Sequence, residues 1–261
     1  MKLTTKLMAF SAIVSASSAS AVELEVMHWW TSGGEAAAVS KFAEAWDATG
    51  NTWVDGAIAG GGDTARPIMV SRIIGGDPPA AFQFNHGRQA EELIEAGLLR
   101  DITDIAKAEG WADIVNPTSL LDSCTVDGRI YCAPVNIHSW QWLWLSHKAY
   151  KDAGLDVPTN WDEFVAAAPA LEKAGKLPLA LGQQGWQQRG LFNVLFAALV
   201  PNEVFLSVYD SKDAGVAAGA EVARVFAAAA DARGMAADST VQNWNDATNL
   251  IFTRHIFICK N

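Results

Sequence analysis

The chain has 261 residues, 50% of them hydrophobic and 18% charged, with 19 basic against 29 acidic side chains. That apolar content excludes a disordered chain, the net charge of -10 argues against nucleic acid as a partner, and three cysteines cannot make a disulfide-dense scaffold. Eleven tryptophans stand out, since a large flat ring is often placed where something must bind.

The first residues read as an export signal. Lys2 and Lys6 supply the positive region, Leu7 to Val14 the apolar run, and Ala19-Ser20-Ala21 the small-residue cleavage site. The run is far shorter than the roughly 20 residues a spanning helix needs, so residues 1–21 are expected to be removed. Export makes the cysteines readable. Cys124 and Cys132 flank Asp127-Gly128, a hairpin-turn signal. A disulfide across that hairpin suits an oxidising compartment, and two separately buried thiols are the alternative.

From Val22 the chain alternates strand and helix. Strands are predicted at 22–28, 52–58 and 80–84, and helices over 34–49 and 64–74. A further helix has Ala90, Leu93 and Ile94 inward and ends at Gly97. This rhythm predicts a parallel sheet with helices on its faces, with any ligand beyond the carboxyl ends of the strands. In the second half, 135–145 is an extended run with Trp140, Trp142 and Trp144 on one face. Those rings are read as packing in a hinge strand. Thr159 with Asp162 predicts a capped helix, 177–181 another strand, and 191–200 and 216–230 apolar helices. The hairpin near 124–134 is the expected boundary, giving an N-terminal lobe over 22–134 and a C-terminal lobe over 135–261.

Catalytic motifs are missing. There is no G-x-S-x-G elbow, Walker A, H-E-x-x-H or kinase set, and the five histidines show no i, i+4 pair for a metal. No cofactor and no metal are therefore expected. Gly60-Gly61-Gly62-Asp63-Thr64 opens a helix, either as a tight βα turn or as a ligand cradle. Glycoside hydrolysis needs only two placed carboxylates, so a secreted carbohydrate-active enzyme stays open as the alternative to a binding protein. Strand ends carry the remaining signal. Trp29 and Trp30 close the first strand, and Gln83-Phe84-Asn85-His86 close the third. Indole faces stack on sugar C–H faces while amides and His hydrogen-bond hydroxyls, a combination suited to a neutral sugar.

These features come with a resemblance. Asp127-Gly128-Arg129-Ile130-Tyr131, Pro134-Val135, Trp142-Leu143-Trp144-Leu145, Ala153-Gly154-Leu155 and Pro158-Thr159-Asn160-Trp161-Asp162-Glu163-Phe164 resemble the D-G-k-i-y…P-V…L-W-y-N-k…a-G-L…P-T-W-d-E-f pattern. That pattern belongs to the extracytoplasmic solute-binding proteins of sugar ABC importers, the maltose-binding-protein-like family 1. The block His28-Trp29-Trp30-Thr31-Ser32-Gly33-Gly34-Glu35 is similar to the glucose/mannose branch. The resemblance implies a periplasmic-binding-protein-like α/β fold of two lobes with mostly parallel sheets. It implies a periplasmic monomer, not an enzyme, that takes a monosaccharide between its lobes and docks on membrane permease subunits. Trp30, Glu35, Gln83, Asn85 and His86 would contact the sugar from one lobe. Trp244, in Asn243-Trp244-Asn245-Asp246-Ala247-Thr248, would stack from the other.

After Thr248 the sequence departs from the family's G-K-A-A…M-G-D-W continuation. The expectation is an incomplete second lobe with an aberrant tail from about residue 249, left by an interrupted reading frame or a natural short variant, and weakened sugar binding.

Overall fold

A computed structural model describes residues 20–260, apart from residues 88, 139–141, 238, 242 and 255–257; for 251–254 and 258–260 only the backbone is described. Residues 1–19 of the export signal, and Trp140, lie outside the described residues. Among the described residues, no helix is long and apolar enough to cross a membrane.

Residues 23–82 build a β-α-β-α-β unit. It consists of β1 (Glu23–His28), α1 (Gly33–Asp47), β2 (Thr52–Ala57), α2 (Gly62–Ile74) and β3 (Ala81–Phe82). The strand order is β2-β1-β3 and both pairings are parallel, with Val26 opposite Asp55 on one side and Ala81 on the other. Gly56 is required there by packing, because a Cβ would lie 2.9 Å from the Met27 side chain. Met27, Ala65 and Met69 form the small buried core under α2, with Trp29, Ile58, Phe82 and Phe84 packed on it. Arg72, in the last turn of α2, donates to both Glu25 carboxylate oxygens at 2.5 and 2.9 Å. That hydrogen-bonded pair holds the Glu25 carboxyl below the usual carboxylate range and pins α2 along β1.

Four short helices follow: α3 (Glu91–Glu95), α4 (Thr103–Ala108), α5 (Trp111–Ile114) and α6 (Ser119–Asp122). They lead into the hairpin β4 (Thr125–Val126) and β5 (Arg129–Ile130). Asp127 and Gly128 both have positive φ, 49° and 75°, which a two-residue primed turn demands. Cys124 and Cys132 are joined by a disulfide across this hairpin.

The remaining chain comprises β6 (Trp142–Trp144), α7 (His147–Asp152), α8 (Trp161–Lys173), α9 (Gly185–Leu199), α10 (Asn202–Tyr209), α11 (Ala214–Ala217), α12 (Ala220–Met235), α13 (Trp244–Arg254) and β7 (Ile258–Lys260). Its core is the large one. Tyr150, Phe164, Leu171, Phe196 and Val225, all at most 2% exposed, lie where α7, α8, α9 and α12 meet. Burial pushes the Tyr150 phenol up to about 12.

Several expectations change here. The α8 cap is Asn160, not Thr159. Its Oδ1 accepts from Glu163 N at 3.0 Å, while Glu163 Oε2 accepts from Thr159 N and Oγ1 at 2.7 and 2.9 Å. The reciprocal box is shifted by one residue because Asn160 has the extended backbone that an N-cap needs. Asn160→Ala should cost about 1 kcal/mol in a urea melt, and an unchanged midpoint would show the cap to be idle. The run 177–181 is not a strand of a ladder; an isolated bridge falls at Ala180. Its polar groups find a side chain instead: Ser239 Oγ accepts from Leu181 N at 3.2 Å and donates to Leu181 O at 2.9 Å. A short apolar run specifies burial, not strand pairing. The helix expected over 216–230 is two helices, since the chain breaks at Gly219.

Trp142 and Trp144 do not pack as hinge-strand core. They are 59% and 50% exposed, their ring centroids 6.5 Å apart, on the strand that pairs antiparallel with β7. The tail expected to be aberrant from 249 continues α13 to Arg254 and then places 258–260 opposite 142–144.

Candidate functional site

Three parallel strands deliver their carboxyl ends to one rim, where a sheet of this type presents a ligand site. From β1 come Trp29 and Trp30. The chain then turns at Ser32 into α1, which carries Glu35 in its first turn. From β2 comes Gly60-Gly61, with φ of 102° and 76°, opening α2 with Asp63 in its first turn. From β3 come Gln83, Phe84 and Asn85. Gln83 is held in place because its Oε1 accepts from the Trp29 backbone N–H at 3.0 Å.

All of these line a cavity of about 970 Å³. Its opposite wall belongs to the first turns of α9 and α13, with Gln184, Trp186, Gln188, Arg189 and Phe192 from one and Asn243, Trp244 and Asn245 from the other. One side-chain network ties those two starts together. Trp186 Nε1 donates to Gln184 Oε1 at 2.7 Å, Gln184 Nε2 donates to Asn243 Oδ1 at 3.1 Å, and Asn243 Nδ2 donates to Asp246 Oδ2 at 3.1 Å. Val135, Asn136 and His138 close the side where the chain passes between the walls.

Of the residues singled out in the sequence, Trp29, Trp30, Glu35, Gln83, Asn85 and Trp244 are brought together on this lining. Trp29 is shared with the core beneath α2, its ring beside Gly62. Trp30 is 8% exposed and meets the His138 ring edge-on, with centroids 6.3 Å apart. His86 is not on the lining. It is exposed, because the chain turns away at Gly87 (φ 77°), whose N–H donates to Ser123 O at 3.0 Å.

Sequence reasoning missed Trp186, Arg66 and Arg189, while Asp63 lies on the lining with the Gly60–Gly62 turn that was weighed as a ligand cradle. The signal for Trp186 was the polar run Gln183-Gln184-Gly185-Trp186-Gln187-Gln188, which has the same aromatic-amide character as the first block. The apolar residues of α9 begin only at Leu191, so a helix read from its apolar stripe starts beyond Trp186.

The cavity's chemistry is mostly neutral. Its only acidic lining residues among those described are Glu35 and Asp63. Burial pushes the Glu35 carboxyl above its usual range, and the cavity walls push the His138 imidazole down toward its neutral form. Asp63 is engaged: Arg189 Nη2 lies 2.8 Å from both its carboxylate oxygens, and Arg66 Nη2 lies 3.1 Å from one. No group of three or more His, Cys, Asp or Glu side chains that could hold a metal occurs among the described residues. Such walls can stack a flat apolar face and hydrogen-bond hydroxyls.

Residues 30–254 match the pattern of the family described as bacterial extracellular solute-binding protein. The chain belongs to that family. The match runs six residues past Thr248, into the last turns of α13. A family relative from Rhizobium meliloti, a probable sugar-binding periplasmic protein, is 31% identical over 251 residues, which is 95% of this chain and 60% of the relative. One from Brucella melitensis biotype 1, with the same description, is 37% identical over 180 residues, covering 69% of this chain and 42% of its own. Among solved structures, a bacterial solute receptor described as having an exclusive preference for b-D-galactopyranose superposes with a TM-score of 0.74 at 18% identity. That likeness covers 91% of this chain and 60% of the receptor. The fold is therefore periplasmic-binding-protein-like, and the chain spans three-fifths or less of the length of these relatives.

Proposed function

We propose that the chain is the sugar-binding component of an ABC importer, exported to the periplasm, and that it takes a sugar into the cavity between its two walls. One observation carries the reading: four indoles, Trp29, Trp30, Trp186 and Trp244, line a cavity whose polar side chains are mostly amides. Indole faces complement the C–H face of a pyranose, and amides serve hydroxyls as both donor and acceptor. The names of the relatives support the same class of ligand. Glucose or mannose is the proposed monosaccharide. Clefts for small molecules run to about 300–1,000 Å³, so one pyranose fills only part of this volume and a disaccharide belongs in any titration. Capture by a monomer and delivery to permease subunits complete the proposal.

Hydrolysis is not favoured by the lining. Asp63 is held by two arginines, and among the described lining residues Glu35 is the one other carboxylate.

Glu35 provides a pH test. Its raised pKa means that the folded chain holds the proton more tightly than the unfolded chain. Its contribution to stability is therefore present below the ordinary carboxylate pKa, about 4.3, and is lost as pH rises through the higher folded value. A sugar hydroxyl that donates to the carboxylate favours the ionised form. Sugar affinity should then rise with pH across that same window, and Glu35→Gln should flatten the dependence. Calorimetric titrations at several pH values would show this, and a slope that persists in Glu35→Gln would remove Glu35 from the contact set.

A further inference from the structure

The two walls of the cavity touch directly. Asp63 opens α2 in the parallel-sheet half, and Arg189 sits one turn into α9 in the helical half, 126 residues later. Arg189 Nη2 is 2.8 Å from both carboxylate oxygens of Asp63. Arg66 secures the same carboxylate from its own helix at 3.1 Å, so Asp63 is oriented before Arg189 arrives. A second contact lies two residues away. Gly61 faces Trp186 so closely that a Cβ would lie 3.0 Å from the indole Nε1, and its φ of 76° also favours glycine. Trp186 and Arg189 are three residues apart on α9, hence on one face.

We propose that Asp63 and Arg189 are positioning residues, forming with Gly61 and Trp186 a two-point latch that holds the cleft walls together before any ligand enters. This deepens the proposed sugar-binding reading, because it concerns the closure of the same cavity. A protein that opens and closes around a ligand spends part of the binding energy on closure, and a contact made only in the closed state shifts that equilibrium in advance. The ion pair is half-exposed, with side chains 61% and 36% accessible, so it is a moderate bias and responds to salt. Trp186 also belongs to the Gln184–Asn243 network, which couples the latch to the wall that carries Trp244.

The test is a distance measurement on the full chain without sugar. Spin labels go on Lys41→Cys in α1 and Glu203→Cys in α10, both exposed positions, in a Cys259→Ser background. The latch gives a dominant short-distance population that loses about fivefold in its closed-to-open ratio in Asp63→Asn and in Arg189→Met. The double variant should show no further loss, because both changes remove one interaction. Adding 1 M NaCl to the unsubstituted pair, where screening falls to about 3 Å, should move the population the same way and needs no folding-competent variant. A distribution unchanged by both substitutions and by salt overturns the latch. Failure to bind sugar while the short distance responds to salt overturns the sugar reading and leaves the latch standing.

Discussion

Phe164→Ala lowers the unfolding free energy by about 3–5 kcal/mol, among the largest single-site losses expected in this chain. Phe164 is 2% exposed and faces the core from α8, with Trp161 at 5.6 Å on its own helix. Removing the ring forfeits its transfer free energy and leaves a void that rigid helices close only in part. Against a total of about 5–15 kcal/mol, that is enough to leave a sizeable unfolded fraction. The consequence reaches the cavity, because the same core includes Leu191, Leu195 and Phe196 of α9, whose first two turns carry Trp186 and Arg189. Phe226→Ala is the control. That ring is 62% exposed and should cost under about 1 kcal/mol. Equal urea midpoints for the two variants would mean that the core does not sit where α7, α8, α9 and α12 meet.

Trp30→Ala should weaken sugar binding by about thirtyfold or more, the loss of a central aromatic anchor being worth about 2 kcal/mol. Trp30 reaches the cavity straight from β1, is nearly buried, and is braced edge-on by His138. A rigid ring with little entropy to lose makes a better platform than a mobile one. The substitution also removes packing, so the affinity loss has to be separated from destabilisation. Trp30→Phe does this. It retains a ring on the same backbone and should keep most of the stability while losing part of the affinity. Matching losses of affinity and stability in both variants would assign Trp30 to the fold alone.

Much of this was legible in the sequence because it is local. β1, α1, β2 and α2 follow from period-two and period-3.6 patterns punctuated by Gly and Pro, and Trp29, Trp30, Glu35, Gln83 and Asn85 inherit their place from strand ends. The Asp127-Gly128 turn is equally local, its two positive φ values written in the residue types. What was not legible depends on partners. The run 177–181 is apolar in any conformation, and only the proximity of Ser239 decides that it is buried coil. α9 begins at Gly185 after Gln184, which makes no side-chain cap bond, so no capping residue announced the start. His86 was misplaced because one glycine after β3 redirects the chain. The Asp63–Arg189 contact spans 126 residues and has no periodic signature at all.

Binding of a sugar between the two cavity walls is the central claim, and the tryptophans report on it directly. Purified protein titrated with glucose, mannose and a disaccharide, followed by Trp fluorescence and repeated by calorimetry, should show a saturable change. The change should be strongly reduced in Trp30→Ala, and the sugar should be recovered unaltered. A flat titration for every sugar, or release of a hydrolysis product from a glycoside, would contradict the account.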